Sequence, residues 1–312
     1  MAKDLTTTVG SLTFPNPVLT ASGTAGHGAE LASYVDLSTL GAVVVKSLKA
    51  GPWAGNPAPR VHQVVGGMIN SVGLQGAGVE AWLEHDLPPL MVTGARIVVS
   101  IWGPTVAEYE AAARLLAEAP AAVVAVEVNL SCPNTEAARD LFAHSASATS
   151  DAMAATAACG RPRWAKLSPN VTDLVPIADA AQRAGAEAVT LVNTVLAMAI
   201  DPETGGYRLG SGARGGGLSG PAIHPVAVRA VHDVHAALPE LPIVGVGGVA
   251  SGGDAAELML AGASAVQVGT ATFADPRAPA RVLAELRQWA ARGGRPTITE
   301  AVGAAHGRET TP

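Results

Sequence analysis

"LPIVGVGGVASGGDAAELMLAGASAVQVGT", residues 241–270, is the stretch that decides the fold. It starts and ends with short apolar runs, 241–248 and 263–270, which have the length of strands. Between them, segment 251–262 places its apolar residues at helical spacing. Apolar runs of this continuous character are typical of strands buried on both faces of a parallel sheet. The stretch therefore predicts a strand, a helix and a second strand parallel to the first.

The same alternation of strand and helix extends through the rest of the chain. Six further apolar runs precede this stretch: 16–23, 41–47, 95–103, 121–130, 163–169 and 186–193. Helical patterns accompany them, among them 105–119, 171–185 and 276–291. For 171–185 we expect Thr172 to cap the start and Gly185 to follow the end. Eight alternations within roughly 250 residues predict a TIM (β/α)8 barrel.

Two segments fall outside this alternation. Residues 5–17 predict a small N-terminal β-hairpin ahead of the barrel. Residues 51–76 contain too much glycine and proline for a simple connection, so we interpret them as a functional insertion. No linker divides the chain, and we expect residues 1–312 to form one domain, with inserted loops at the C-terminal face of the strands.

Composition and charge exclude several classes of partner. The chain has a formal net charge of -6 and no Lys/Arg-rich run, which argues against nucleic acid. Its apolar runs are far shorter than the roughly 20 residues of a membrane span, and its first residues contain no signal-peptide core. Its two cysteines are too few for a disulfide framework. We therefore expect a cytoplasmic protein with no membrane contact.

The predicted strands end in polar residues. In a TIM barrel the active site lies at the C-terminal ends of the strands. These ends are Ala21-Ser22-Gly23, Lys46-Ser47, Asn129 to Asn134, Lys166, Asn193-Thr194, Gly247-Gly248 and Gly269-Thr270. Lysines, asparagines and a cysteine are unusual at the ends of buried strands, so we expect them to form one site.

Glycines follow the seventh and eighth strands, where barrels most often bind phosphate. Glycine lets the backbone approach a phosphate closely, although the same residues could serve only as tight turns. "GGLSG" (216–220) could add N–H donors. "GVGGVA" (245–250) also fits the dinucleotide fingerprint, but no acidic residue ends the following strand, which argues against a Rossmann fold.

Lys46 and Lys166 interrupt or close apolar strands. A buried lysine needs a partner because an unpaired charge is costly in an apolar interior. One interpretation of each is a structural ion pair, or a side chain that reaches solvent. The other is an anionic ligand, since a phosphate site is predicted nearby. A lysine beside a flavin ring would stabilise the electron density that its N1–C2=O edge gains on reduction.

Cys132 lies in "NLSCPN" (129–134), just after the fourth strand. A lone cysteine is more often a small buried residue, and Cys159 fits that description in an alanine-rich stretch. The polar neighbours of Cys132 indicate a loop at the mouth instead. Amides accompany it in the predicted site: Asn70, Asn129, Asn134 and Asn193. Such a ring suits a ligand that alternates N–H and C=O, such as a pyrimidine, and a thiolate there could remove a proton beside a carbonyl.

His232 and His235 are three residues apart on a predicted helix, which could suggest a metal. No third ligand stands at a suitable spacing, so we interpret this helix as facing solvent and expect no metal site. No Ser-His-Asp signature stands out either.

Ten motifs, all in the same order, resemble a known family. They are "ASG", "KS", "GNPAPR", "GGMINSVGLQ", "VEVNLSCPN", "KLSPNVTD", "LVNT", "GGLSGPAI", "GVGGV" and "ASAVQVGTATFADP". Together they resemble the class 1 dihydroorotate dehydrogenases from about residue 4 to about residue 303, and most of all the NAD-linked class 1B catalytic subunit. The resemblance implies a TIM barrel that oxidises (S)-dihydroorotate to orotate in de novo pyrimidine synthesis.

The resemblance also implies a role for each site residue. One FMN per chain would contact Ser22, Lys46, Ser47, Asn129, Lys166, Val192 and Gly220, with its phosphate on Gly247, Gly248, Gly269 and Thr270. Dihydroorotate would contact Lys46, Asn70, Ser71, Val72, Gly73, Leu74, Asn129, Asn134, Asn193 and Thr194. Cys132 would be the catalytic base that takes the C5 proton while hydride passes from C6 to the flavin.

A protein partner is implied in the same way. Class 1B enzymes pair with a second subunit that carries FAD and a 2Fe-2S cluster and passes electrons to NAD. The chain would then form a homodimer, or a heterotetramer with that subunit, because it has no cysteine cluster of its own. Three alternatives stay open: a class 1A-like enzyme linked to fumarate, an FMN enzyme acting on another dihydropyrimidine, and a non-catalytic FMN barrel. Dihydropyrimidine dehydrogenases have histidine where Asn134 stands.

Three features depart from the class 1B pattern. Ser100 replaces an asparagine at the end of the third strand, and Trp102 is bulky for a site neighbour. The segment 135–149 lacks the glycine-rich stretch common in class 1B. We expect these to affect one flavin contact and the motion of a lid.

Overall fold

The computed structural model describes residues 4–131, 141–293 and 297–307. Its strands are β1 (Thr7–Val9), β2 (Leu12–Phe14), β3 (Val18–Thr20), β4 (Val43–Val44), β5 (Val61–Val64), β6 (Gly67–Asn70), β7 (Ile97–Ile101), β8 (Val123–Asn129), β9 (Arg163–Lys166), β10 (Ala188–Leu191), β11 (Val195–Ala197), β12 (Gly216–Ser219), β13 (Ile243–Val246) and β14 (Ala265–Val268). Its α-helices are α1 (Val79–Ala81), α2 (Leu87–Val92), α3 (Val106–Leu115), α4 (Ala146–Ala155), α5 (Val175–Arg183), α6 (His224–Ala237), α7 (Gly252–Ala261), α8 (Ala271–Ala274) and α9 (Ala278–Arg292).

Shorter helical turns complete these elements. A π-helical turn, Trp82–Asp86, joins α1 to α2. The 3-10 turns are Glu30–Ser33, Leu37–Thr39, Phe142–His144, Thr156–Cys159, Gly212–Arg214, Pro221–Ile223 and Ile298–Ala301.

Eight parallel strands form a closed barrel, and the predicted TIM fold is confirmed. Their order is β3-β14-β13-β10-β9-β8-β7-β4. The barrel closes where Leu19 on β3 bridges Ala42 just before β4. Each of the eight predicted apolar runs contains one barrel strand. Helices such as α3, α5, α6, α7 and α9 follow strands in the sequence, and their apolar faces bury the outer surface of the barrel.

The N-terminal hairpin closes the amino ends of the barrel strands. β1 and β2 pair antiparallel, as the sequence predicts. Val9 and Phe14 belong to the same buried cluster as the inward-facing residues of the barrel, and the Phe14 ring meets Trp164 edge to face at 6.0 Å. The Thr7 hydroxyl donates to the Ser264 carbonyl, just before β14, at 2.6 Å. This end of the barrel is therefore filled with apolar side chains.

The start of α5 differs from the expected one. The helix begins at Val175, and the Asp173 carboxylate accepts a hydrogen bond from the Val175 N–H at 3.0 Å. The expected Thr172 cap is wrong because the aspartate one residue later supplies the acceptor. Gly185 follows the helix end with a φ of 92°, a left-handed value that favours glycine, so that expectation is confirmed.

A small antiparallel sheet, which we call the mouth sheet, lies beside the C-terminal ends of the barrel strands. Its order is β11-β12-β6-β5. The glycine- and proline-rich segment 51–76 contributes β5 and β6, and the connection between β10 and α6 contributes β11 and β12. Within the described ranges, no helix is long and apolar enough to cross a membrane.

Candidate active site

One cavity of about 310 Å³ lies between the carboxyl ends of the barrel strands and the mouth sheet. Every predicted site residue within the described ranges lines it: Ser22, Lys46, Ser47, Asn70, Ser71, Val72, Gly73, Leu74, Asn129, Lys166, Val192, Asn193, Thr194, Gly220, Gly247, Gly248, Gly269 and Thr270. Cys132 and Asn134 lie outside the described residues. Ser131, the residue directly before Cys132, lines the cavity. The volume is within the range of small-molecule sites.

Two asparagines of the cavity, Asn129 and Asn193, belong to a hydrogen-bonded chain. The Asn193 amide donates to Asn129 Oδ1 at 3.1 Å, and the Asn129 amide donates to Ser47 Oγ at 3.2 Å. Ser47 in turn shares a hydrogen bond of 2.8 Å with Ser100. Each amide nitrogen has a second hydrogen, so the chain fixes the side chains and leaves donors for a ligand.

Asn170 supports the cavity without lining it, and the sequence reasoning missed this residue. Its amide nitrogen donates to the Thr194 carbonyl at 3.0 Å, and its Oδ1 accepts from the Leu196 N–H at 2.8 Å. Asn170 therefore holds the segment between β10 and β11 in place. The available signal was its position in "KLSPN", directly after a predicted strand with a site lysine.

Lys46 reaches the cavity in a mostly buried environment. Burial lowers the pKa of its ammonium, and the like charge of Arg60 lowers it further. Arg60 is held by the Asn56 carbonyl, which accepts from its Nε at 2.6 Å. A lysine in such surroundings gains most from an anionic ligand, because the ligand supplies the missing opposite charge.

Lys166 combines the two interpretations that its sequence context left open. It lines the cavity, and its Nζ lies 3.5 Å from the Glu127 carboxylate and donates to Ser22 Oγ at 3.0 Å. Glu127 accepts a further hydrogen bond from the Gln267 amide at 2.7 Å. The sequence reasoning missed Glu127 and Gln267. The signal for Glu127 was its spacing, since residues two apart on a strand share a face and Asn129 is a site residue.

The glycines beside β12 and β13 have conformations that other residues rarely adopt. Gly220 has a φ of 101°, Gly247 of 138° and Gly248 of 69°. A Cβ on Gly248 would also lie 2.9 Å from the Gly220 carbonyl oxygen. These turns therefore need glycine, and they bring bare backbone to the cavity wall. "GVGGVA" follows β13 of a closed barrel, so the Rossmann alternative is wrong.

Ser100 and Trp102 lie outside the cavity wall. Ser100 is fully buried and bonds to Ser47. Trp102 is buried and meets the Trp53 ring edge to face at 5.6 Å. Neither residue is therefore in a position to obstruct the cavity directly.

The cavity is also lined by Ala21, Gly23 and Ser131, from the predicted strand ends, and by Ser219 of "GGLSG". Further lining residues that the sequence reasoning did not select are Thr24, Val61, Met68, Ile223, Val246 and Phe273. Val61 and Phe273 are 51% and 60% exposed and also line a second, mostly apolar cleft of about 720 Å³. Among the described residues no group of three histidine, cysteine or acidic side chains could hold a metal.

The cavity fits FMN by the chemistry of its walls. Two lysines offer positive charge, the amides offer donors and acceptors for a heterocyclic ring, and the glycine turns offer close backbone approach at the strands where barrels hold phosphate. The fold and this cavity define a TIM-barrel protein with a small-molecule site at the C-terminal face of its strands.

Comparison with known proteins gives the family. The profile of the dihydroorotate dehydrogenase family matches residues 4–289, and the chain belongs to this family. The catalytic subunit of dihydroorotate dehydrogenase B (NAD(+)) from Desulforudis audaxviator is 49% identical, with 96% of both chains covered. The protein of the same name from Geobacter sp. strain M21 is 44% identical over 96% of this chain and 98% of the relative. A putative dihydroorotate dehydrogenase A (fumarate) from Solibacter usitatus is 44% identical over 97% and 99%.

Proposed function

We propose that this chain oxidises (S)-dihydroorotate to orotate in pyrimidine synthesis, with FMN as its cofactor. The chain forms a single barrel domain in this proposal. The observation that carries the proposal is that residues from all parts of the chain, each chosen from the sequence, line one cavity. The names of the relatives support the reaction.

Within this proposal, one end of the cavity holds FMN. Its phosphate would be held by Gly247, Gly248, Gly269 and Thr270, at the ends of the last two barrel strands, and Lys166 would contact its ring. When bound, FMN supplies an acceptor for the hydride that leaves C6 of dihydroorotate. The remaining contacts come from Ser22, Lys46, Ser47, Asn129, Val192 and Gly220.

The other end holds the substrate. The ammonium of Lys46 binds the carboxylate, and the amides and backbone of Asn70 to Leu74, Asn129, Asn193 and Thr194 bind the ring, together with Asn134. Cys132, which follows the cavity residue Ser131, takes the proton from C5. Loss of this proton and of the C6 hydride leaves the C5–C6 double bond of orotate.

We further propose that the electrons pass to NAD through a partner subunit with FAD and a 2Fe-2S cluster. Two cysteines in 312 residues cannot bind such a cluster in this chain alone. The phrase "catalytic subunit" in the names of the Desulforudis and Geobacter relatives supports a partner. The fumarate-linked name of the Solibacter relative keeps a class 1A-like reaction as the second candidate, with a homodimer as its assembly.

The half-reaction is tested with the FMN-loaded protein under anaerobic conditions. We expect (S)-dihydroorotate to bleach the flavin absorbance, whereas dihydrouracil leaves it unchanged because it has no carboxylate for Lys46. Cys132→Ala should keep its FMN and lose most of the flavin reduction, because it removes the thiolate proposed to take the C5 proton. Flavin that stays oxidised with dihydroorotate would overturn the proposal, and normal reduction of Cys132→Ala would overturn the role of Cys132.

The acceptor is tested in the second half of the same experiment. After bleaching, NAD alone should not restore the flavin absorbance, and NAD with the FAD/iron–sulfur subunit should restore it. Recovery with fumarate alone would instead favour the class 1A-like alternative.

A further inference from the structure

We propose that Glu127, with Gln267, is a positioning residue that keeps Lys166 positively charged beside the bound flavin. Neither residue lines the cavity, so both act through Lys166. The inference rests on the proposed FMN site, and it concerns the charge of the cavity wall rather than the identity of the substrate.

The three side chains meet inside the barrel, one level below the cavity. Glu127 on β8 and Gln267 on β14 have no solvent exposure, and Lys166 on β9 is 4% exposed. The Lys166 ammonium lies 3.5 Å from Glu127 Oε1, while Gln267 donates to Glu127 Oε2 at 2.7 Å. Both carboxylate oxygens therefore face a positive or hydrogen-bonding group.

Among the described residues, the buried cluster below contains no charged side chain. It includes Ala125, Ala265 and Trp164, whose indole Nε1 is buried without a hydrogen-bond partner. Thr190 lies beside Lys166 in the barrel register, and its hydroxyl has no partner in the described residues. Lys46 is the other cation on the cavity wall, and Ser22 is a neutral acceptor. Glu127 is thus the group that neutralises Lys166 in the protein without ligand.

An ion pair this deeply buried depends on both of its members. If Glu127 lost its charge, Lys166 would remain in an apolar interior with only neutral acceptors, and its charged form would become unfavourable. A neutral Lys166 would have to take up a proton before it could compensate the negative charge that the flavin ring gains on reduction. Glu127 therefore determines whether Lys166 is positively charged while the flavin is still oxidised.

The number of protons taken up on reduction reports this difference. With Lys166 already charged, two electrons bring one proton onto FMN, and the ammonium balances the remaining negative charge. With Lys166 neutral, the same two electrons bring two protons, one onto FMN and one onto Lys166. The slope of the midpoint potential against pH is proportional to protons per electron, so the slope should double.

The test compares wild type with Glu127→Gln, which removes the charge and nearly preserves the shape. The flavin is reduced chemically, without dihydroorotate, so a wrong substrate assignment would not affect the result. We expect the midpoint potential to depend more steeply on pH in Glu127→Gln than in wild type, up to the twofold limit set by the second proton. Thr190→Val is the matched control, because it removes a buried polar group beside Lys166 and no charge, and its slope should equal that of wild type.

A second measurement covers a variant that fails to fold or to bind flavin. Nuclear magnetic resonance of the side-chain carbons of Lys166 and Glu127 in flavin-free wild type should show the charged ammonium and the charged carboxylate of an ion pair. An unchanged slope in Glu127→Gln, or a neutral Glu127 or Lys166 in wild type at pH 7, would overturn the proposal.

Discussion

At the scale of single residues, the two cavity lysines differ in their electrostatic surroundings. Lys166 has a buried carboxylate beside it, whereas Lys46 has the like charge of Arg60 nearby. The charge of Lys166 is therefore compensated by Glu127, whereas the charge of Lys46 would be compensated by an anionic ligand. This difference is consistent with the proposed site, in which Lys166 contacts a bound cofactor and Lys46 binds the carboxylate of an exchanging substrate.

The surroundings of Lys46 predict how the affinity for orotate depends on pH. Burial and Arg60 lower the pKa of Lys46 from its ordinary value of 10.5, so the lysine loses its charge at a lower pH than an exposed lysine does. Below that pKa the affinity of the FMN-loaded protein for orotate should be constant. Above it, the affinity should fall about tenfold per pH unit, because one proton is needed for binding. Titration calorimetry from pH 7 to pH 10.5 measures this affinity for orotate.

Arg60→Gln is the control for this dependence. Removal of the like charge should move the onset of the fall to higher pH. An affinity that stays constant up to pH 10.5 in wild type would contradict the role of Lys46, and an onset unmoved by Arg60→Gln would contradict the role of Arg60. FMN content has to be measured at each pH, so that loss of cofactor is not taken for loss of orotate.

At the scale of elements, the mouth sheet joins two distant segments over the cavity. β6 from one segment pairs with β12 from the other. Gly217 on β12 lies so close to Thr194 that a Cβ there would overlap its side chain. The sheet therefore determines where Thr194 and Asn70 stand relative to the ends of the barrel strands.

We expect Gly217→Ala to weaken orotate binding by roughly tenfold or more, about 1.4 kcal/mol, because it displaces Thr194 from its position. FMN content should be retained, since the phosphate turns lie on other strands. Equilibrium titration with orotate gives the affinity, and the flavin absorbance gives the content. Gly206→Ala is the control, because Gly206 lies in the same connection between β10 and α6. The nearest atom to its added Cβ is Thr204 Oγ1 at 3.2 Å. Equal affinities of both variants and wild type would contradict the expectation.

The elements also show how far the sequence could predict this protein. The barrel strands were predictable because continuous apolar runs such as 241–248 have one stable environment, the interior of a parallel sheet. The strand ends were predictable as a site because polar residues there have few other roles. β5 and β6 were not predicted, because short, half-exposed strands in a segment rich in glycine and proline have no apolar periodicity.

Glu127 shows a second limit on what could be predicted from the sequence. A single acidic residue within "VAVEVN" is compatible with an ion pair, a hydrogen bond or a neutral acid, and only the closed barrel brings Lys166 and Gln267 beside it. The sequence contains the spacing to Asn129 but no information on which strand faces β8 across the interior. Cross-barrel neighbours follow from strand order and register, which local patterns do not specify.

At the scale of the whole molecule, the two ends of the barrel differ: an apolar cluster fills one end, and the cavity lies at the other. The hairpin fills the amino ends of the strands with Val9 and Phe14, and the cavity occupies the carboxyl ends. Phe14→Ala should lower the free energy of unfolding by about 3–5 kcal/mol, because it leaves a cavity against Trp164. The affinity for FMN should change less than twofold. Denaturant unfolding and flavin titration measure the two quantities.

Phe14→Leu is the matched control for this separation. It keeps most of the buried volume, so its loss of stability should be well below that of Phe14→Ala. If Phe14→Ala loses FMN under conditions in which it remains folded, the two ends of the barrel are not independent.

The order of the strands also determines when the barrel can close during synthesis of the chain. β3 near the start of the chain pairs with β14, which the ribosome makes only at residues 265–268. Until then the nascent sheet has an open edge, which is the kind of surface that neighbouring chains can pair with. The cavity likewise needs both Ser22 and Thr270, so it can form only after residue 270 has been made. Under the proposed function, FMN can therefore bind only after β14 has been made and has joined β3.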